Sequence, residues 1–268
     1  MNKAVKILLS QAINSYAMCN YSPNKCYDQV FGTLNCKTKP YEALEERSDI
    51  PTVPCEKAAI IIVLESPHIA EFDPITKKSL GPGKGKTGEN IKTYLWEILR
   101  RNQVGLTLSR EKYDIVLLNA IQYQCSLGED TKLYRDAMFL YYWEQPDFRK
   151  DFSERLDRVR GIYSESIVVN CCTRGEHSSL LTNHFGCLGN NSNEDKIYFD
   201  ELGINVPLIN TYEASNYSLK HCVSRVIHDT LSKTEEFYLL SHPSSWYRDG
   251  NQPQLQKFFR GIKRNIKC

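Results

Sequence analysis

From residue 58 onward the chain alternates two hydrophobic patterns. Short, almost continuously apolar runs occur at IIIVL (60–64), IVLLN (115–119), SIVVNC (166–171), VPLIN (206–210) and FYLLS (237–241). Runs of this length without polar alternation predict strands buried on both faces, as in a parallel sheet whose crossover helices cover each side. Between them, GENIKTYLWEILRRN (88–102), RKDFSERLDRVRGIY (149–163) and SLKHCVSRVIHDTLSK (218–233) carry apolar residues at helical spacing. Strands separated by helices predict an α/β fold, a three-layer α/β/α sandwich with a central, mostly parallel sheet. Residues 1–57 look different: a helical pattern over 3–17, then a polar stretch with Pro and Cys. They read as an N-terminal appendage to a domain spanning 58–268.

Composition narrows the class. With 268 residues, 41% of them hydrophobic, the chain can bury a sizeable core, and disorder is excluded. The longest apolar runs, AAIIIVL (58–64) and DIVLLNAI (114–121), fall far short of the roughly 20 residues that span a bilayer, so no membrane partner is expected. The first twenty residues, interrupted by Gln11 and Asn14, read as an amphipathic helix rather than a secretory signal. A cytoplasmic location follows as the expectation, and with it ten cysteines kept as thiols.

In open parallel sheets, sites form in the loops that leave the carboxyl ends of the strands. Three such loops begin with chemically capable residues: Glu65-Ser66-Pro67-His68, Asn119, and His242-Pro243-Ser244-Ser245. Each also has an ordinary reading as a turn residue satisfying backbone groups. The glycine-rich GPGKGKTGE (81–89) is not a nucleotide-hydrolase phosphate loop, because Leu80 stands where that spacing needs glycine. His177, His184, His221 and His228 show no metal-ligand spacing, and no metal is expected.

VLESPHIAEF (63–72), GPGKGKTGENIKTYL (81–95), DIVLLNAIQYQ (114–124) and LLSHPSSWYRDGNQPQLQKFFRGIKR (239–264), in that order, resemble the motifs of the uracil-DNA glycosylase superfamily, closest to its iron-sulfur branch. The resemblance covers residues 58–265. It implies a DNA glycosylase that flips a damaged or modified pyrimidine out of DNA and hydrolyses its N-glycosidic bond. Breaking that bond puts positive charge on the sugar and negative charge on the departing base, which calls for a carboxylate near the first and a donor near the second. The resemblance assigns these catalytic roles to Glu65 and His242. It gives base recognition to Asn119, whose amide offers both donor and acceptor, and to the turn of Ser66, Pro67 and His68. DNA contacts fall to Lys84, Lys86, Ser244, Ser245 and Arg248, with Trp246 or Tyr247 as a wedge in the base stack and a terminal helix after them.

Charge fits this placement. The total is only +2, yet residues 76–101 carry seven Lys/Arg against two Glu, and residues 248–268 carry six against Asp249, leaving the remainder near −8. Both basic segments flank the expected pocket, where a DNA backbone would run. The chain also departs from the family. Ser66 stands where the best-known branch has its catalytic aspartate, which moves the water-activating role to Glu65. Gly83 stands where the iron-sulfur branch stacks a Phe on uracil, which implies a roomier pocket and a base bulkier than uracil, such as a modified pyrimidine of foreign DNA. Cys19, Cys26, Cys36 and Cys55 lack the paired spacing of cluster ligands, so no cofactor is expected. A monomer is expected. The competing reading is a glycosylase-like module that binds nucleic acid without chemistry.

Overall fold

The computed structural model describes residues 22–37, 48–101, 106–128, 131, 135–143, 145–175, 219–231, 236–250 and 252–258. These build an α/β protein on a mixed six-stranded sheet. The strands are β1 (Gln29–Asn35), β2 (Cys55–Leu64), β3 (Lys112–Asn119), β4 (Tyr163–Asn170), β5 (Phe237–Leu239) and β6 (Gln256–Lys257). The helices are α1 (Lys86–Arg101), α2 (Ala137–Trp143), α3 (Pro146–Ile162) and α4 (Leu219–Thr230). Strand order is β1-β3-β2-β4-β5-β6. The four central strands run parallel, and β1 and β6 pair antiparallel at the two edges.

The two hydrophobic periods explain the packing. Along β2, residues 58–64 are all buried, and alternate side chains serve opposite faces. Ile60, Ile62 and Leu64 join Ile91, Leu95, Ile98 and Leu99, the apolar stripe of α1. Ile61 and Val63 join Phe152, Leu156 and Val159 of α3 and Leu219, Val223 and Ile227 of α4. Helical spacing on either side thus meets a strand buried on both sides.

Two sequence expectations change here. Residues 29–35, placed in an appendage, are instead the edge strand β1 of the main sheet. Residues 256–257, placed in a terminal helix, form β6 because their backbone pairs with Tyr238 and Leu239. The expected helix 3–17, the strand at 206–210 and the remainder of the terminal helix beyond 258 lie outside the described residues. The glycine-rich loop is a packing device. A Cβ on Gly83, whose φ is +68°, would sit 2.5 Å from Leu117 Cδ1, with Phe31 next nearest at 3.5 Å. The space at position 83 is therefore filled by core side chains, and the missing ring there opens no extra room. No helix among the described residues is long and apolar enough to cross a membrane.

The N-terminal segment is tied in by a buried ion pair. Arg155 Nη1 donates to Asp28 Oδ2 at 2.7 Å, and Nη2 donates to the carbonyls of Asn119 and Ala120 at 3.0 and 3.2 Å. Both side chains are under 10% exposed. Removing one partner leaves a buried charge uncompensated. Asp28→Ala is expected to lower stability by about 3–5 kcal/mol, read as a drop in the urea midpoint with little change in slope.

Candidate active site

The chain leaves the end of β2 towards β3, whereas it leaves β4 towards β5, so the sheet's switch point lies between β2 and β4. Glu65 sits there. It is 4% exposed, and its Oε2 accepts the backbone N–H of Thr173, from the loop after β4, at 3.1 Å. The same oxygen lies 3.7 Å from His242 Nε2. Residues that are 177 positions apart in the chain are thus paired by the convergence of strand ends.

His242 is held by its own loop. Pro243–Ser245 form a 3-10 turn, in which the N–H of Ser244 donates to His242 Nδ1 at 3.3 Å and the Ser244 hydroxyl lies 2.8 Å from the same atom. A backbone N–H can only donate, so Nδ1 is an acceptor and the ring proton resides on Nε2, facing Glu65. Burial pushes the imidazole below its ordinary 6.5, against the opposing pull of Glu65. The site therefore holds a neutral imidazole with its N–H directed to the carboxylate. Asn90 of α1, buried in the helix, donates its Nδ2 to Pro243 O at 2.7 Å and so fixes the turn from the opposite face. The helical pattern of 88–102 had given Asn90 no role beyond its place in the helix.

Asn119 closes β3 beside Leu64 and is fully buried. Its backbone is engaged, with the N–H donating to Asp28 and the carbonyl accepting from Arg155. Its side-chain amide has no hydrogen-bond partner among the described residues, and the same holds for the buried hydroxyls of Thr173 and Ser241. Buried polar atoms are nearly always paired, so unpaired ones gathered at the ends of β3, β4 and β5 mark a site built for something else.

The remaining expected residues fall as follows. The Ser66 hydroxyl is buried against the Cys125 thiol, and Pro67 is buried with its carbonyl accepting from Cys125 and Ser126. His68 is exposed. Its N–H is taken by Glu71 Oε2 at 3.2 Å, while Glu71 Oε1 accepts the Gly83 N–H at 2.5 Å, so this buried carboxylate staples the 66–68 turn to the glycine loop. Trp246 does not stand free as a wedge. It is 2% exposed, packs in the core and donates Nε1–H to Ser241 O. Tyr247, at a left-handed φ of 55°, packs its ring on Tyr94 at 4.6 Å. The N–H groups of Ser244 and Ser245 are also not available to a phosphate, because His242 accepts both. Lys84 and Lys86 are exposed, with Lys86 3.9 Å from Glu89.

A cleft of about 890 Å3 opens over the ends of β4 and β5. His242, Ser244, Ser245 and Arg248 line it, together with Arg135, Arg174 and Lys220, which sequence reasoning did not select. Glu65, Asn119 and the 66–68 turn are not in its walls. Cys171 and Cys172 are buried at the end of β4, and burial pushes the Cys171 thiol up to about 12, which rules out an easily formed thiolate nucleophile there. Cys26, Cys36 and Cys55 form no disulfide, and Cys19 lies outside the described residues. Among the described residues no group of three or more His, Cys, Asp or Glu is placed to hold a metal.

No family model, curated protein or solved structure matches the chain.

The His242 shift has a measurable sign. Its folded pKa lies below the unfolded 6.5, so under pH 6.5 the unfolded chain takes up a proton that the folded site resists. Its contribution is fully present above 6.5 and is lost as pH falls. His68, exposed but partly desolvated on one side and so also lowered, acts in the same direction. The thermal midpoint should fall between about pH 7.5 and about pH 5.5, and fall less in His242→Gln. An identical fall in both proteins would show that the imidazole is not held neutral.

Proposed function

We propose that the protein is a DNA glycosylase that extrudes a damaged or modified pyrimidine from DNA and hydrolyses its N-glycosidic bond, on a glycosylase-like three-layer sandwich. The observation that carries this reading is the convergence of Glu65, Asn119 and His242 from three parallel strand ends, with the Glu65 carboxylate 3.7 Å from His242 Nε2. The unpartnered Asn119 amide beside them offers a donor and an acceptor to the edge of a base.

In this reading Glu65 orients a water towards C1′ and its charge stabilises the cationic sugar. The C1′–N bond breaks with its electron pair leaving on the base, and water supplies the hydroxyl that ends on C1′. His242, neutral with its proton on Nε2, donates to the base oxygen on which negative charge develops. The proton released by water ends on the departing base. Because Asn119 is fully buried, a base reaches it only when part of the structure around it moves, so extrusion and that movement are coupled. DNA is the partner in this reading, with a damaged or modified pyrimidine as the substrate class.

One observation favours the second reading, a module that binds nucleic acid without chemistry: the cleft reaches His242 but not Glu65 or Asn119. The experiment incubates the protein with oligonucleotides carrying uracil, 5-hydroxymethyl or glucosylated pyrimidines and detects free base by mass spectrometry. Release is expected from at least one substrate, with Glu65→Gln slower by about 10²–10⁴-fold and DNA affinity retained. A folded protein that binds these DNAs but frees no base would establish the module instead.

A further inference from the structure

The charge of the cleft is not used by the proposed reaction. Four cations line it, among them Arg174 from the loop after β4, Lys220 from the first turn of α4, and Arg248 after the His242 turn. Arg135 lines it as well and pairs with the buried Asp136 at 2.7 Å. No Asp or Glu is among the described residues that line it. Bringing like charges from distant segments to one concave surface costs self-repulsion, and an anion relieves that cost. For Lys220, buried far enough that its pKa is lowered, desolvation adds to the cost. Its Nζ donates to Leu240 O at 2.6 Å, which holds the ammonium at the cleft wall. The walls also contain Thr173 and Ser241, whose buried hydroxyls have no partner among the described residues and can each donate one hydrogen bond. The volume of about 890 Å3 lies in the range of about 300–1,000 Å3 that takes whole ligands.

We propose that this cleft is a phosphodiester-binding site, in which Arg174 and Lys220, with the hydroxyls of Thr173 and Ser241, hold the backbone of a polynucleotide as it passes His242. That the polymer is DNA rests on the proposed glycosylase reading; that the ligand is a phosphodiester rests on the cleft. The site lies on the β4–β5 side of the sheet, and Lys84 and Lys86 are not part of it, so the strand's path includes Arg248 of the second basic segment but not the basic stretch of 76–101.

The test is fluorescence anisotropy of labelled single- and double-stranded oligonucleotides with the full chain, over a salt series. Arg174→Ala and Lys220→Gln should each weaken binding by about tenfold at low salt and flatten the slope of log affinity against log salt by about one. Lys150→Ala, an exposed position on α3, should leave both unchanged. Arg174 is exposed, so its variant keeps the proposal testable should Lys220→Gln fail to fold. Unchanged affinity and slope in folded Arg174→Ala would overturn the inference. So would saturation of the cleft by inorganic phosphate or a deoxynucleoside monophosphate in a protein that binds no oligonucleotide, since the ligand would then be a small phosphate. Base release measured on the same proteins separates the two ideas. Arg174-dependent binding without release leaves the cleft assignment standing and removes the glycosylase reading; release that ignores Arg174→Ala does the reverse.

Discussion

The guanidinium of Arg155 reaches from α3 to the point where β3 stops being a strand, and what the site can do depends on that contact. Nη2 donates to the carbonyls of Asn119 and Ala120, Nη1 donates to Asp28, and Nε donates to Asp151. Asp28 in turn accepts the Asn119 N–H. The last residue of β3 is therefore gripped at both its N–H and its C=O by a charged pair that lies in the protein interior. A buried ion pair adds little net stability against an apolar replacement, because desolvation offsets the attraction. What this pair supplies is position, since it turns the chain out of the sheet at one residue and locks the N-terminal segment against that turn.

The chemical groups are positioned by the same device, a polar contact from a neighbouring element. Glu65 is aimed by a backbone N–H at the end of β4, and His242 by the N–H two residues on and, through Pro243, by Asn90 of α1. Glu71 holds two loops through their N–H groups. The donors to Glu65 and His242 are backbone groups of the loops that leave β4 and β5, so the 3.7 Å between Glu65 and His242 is set by how those loops are placed at the strand ends. The buried, low-dielectric setting strengthens what each can do to a developing charge, and it is also what pushes the imidazole towards its neutral form.

Much of this was legible in the sequence. Buried parallel strands advertise themselves by unbroken apolar runs, and β2, β3, β4 and β5 fall on four of the five runs, with Glu65, Asn119 and His242 at or just past their ends. Other features have no such signal. β1 reads QVFGTLN, with a glycine and a register shift between Val30 and Gly32, so its alternation is broken and its place at the sheet edge needs only one partner strand. Trp246 stands where the sequence resemblance led to the expectation of an exposed apolar wedge, but here the indole N–H finds Ser241 O and the ring completes the core around α1. The cleft was invisible for a different reason. Arg135, Arg174 and Lys220 are ordinary single charges in three segments, and only the order β2-β4-β5 brings them together. Local counting of charge found the basic stretch of 76–101 instead, where Arg101 pairs with Glu97 and lysines point to solvent.

The buried Asn119 amide sets the energetic character of the site. A buried polar group without a partner costs about 1–3 kcal/mol, and a sequence selected for stability alone would place an apolar side chain at a fully enclosed strand end. The neighbouring hydroxyls of Thr173 and Ser241 carry the same penalty. These three groups sit on the carboxyl rim of the sheet, at or just past the ends of β3, β4 and β5. Local departures from self-consistency of this kind cluster where a protein has work to do. A ligand that presents complementary donors and acceptors recovers free energy that the empty fold forgoes, and a ligand lacking them meets unpaired groups on every side, so the same unpaired atoms that weaken the free protein discriminate among the molecules that enter it.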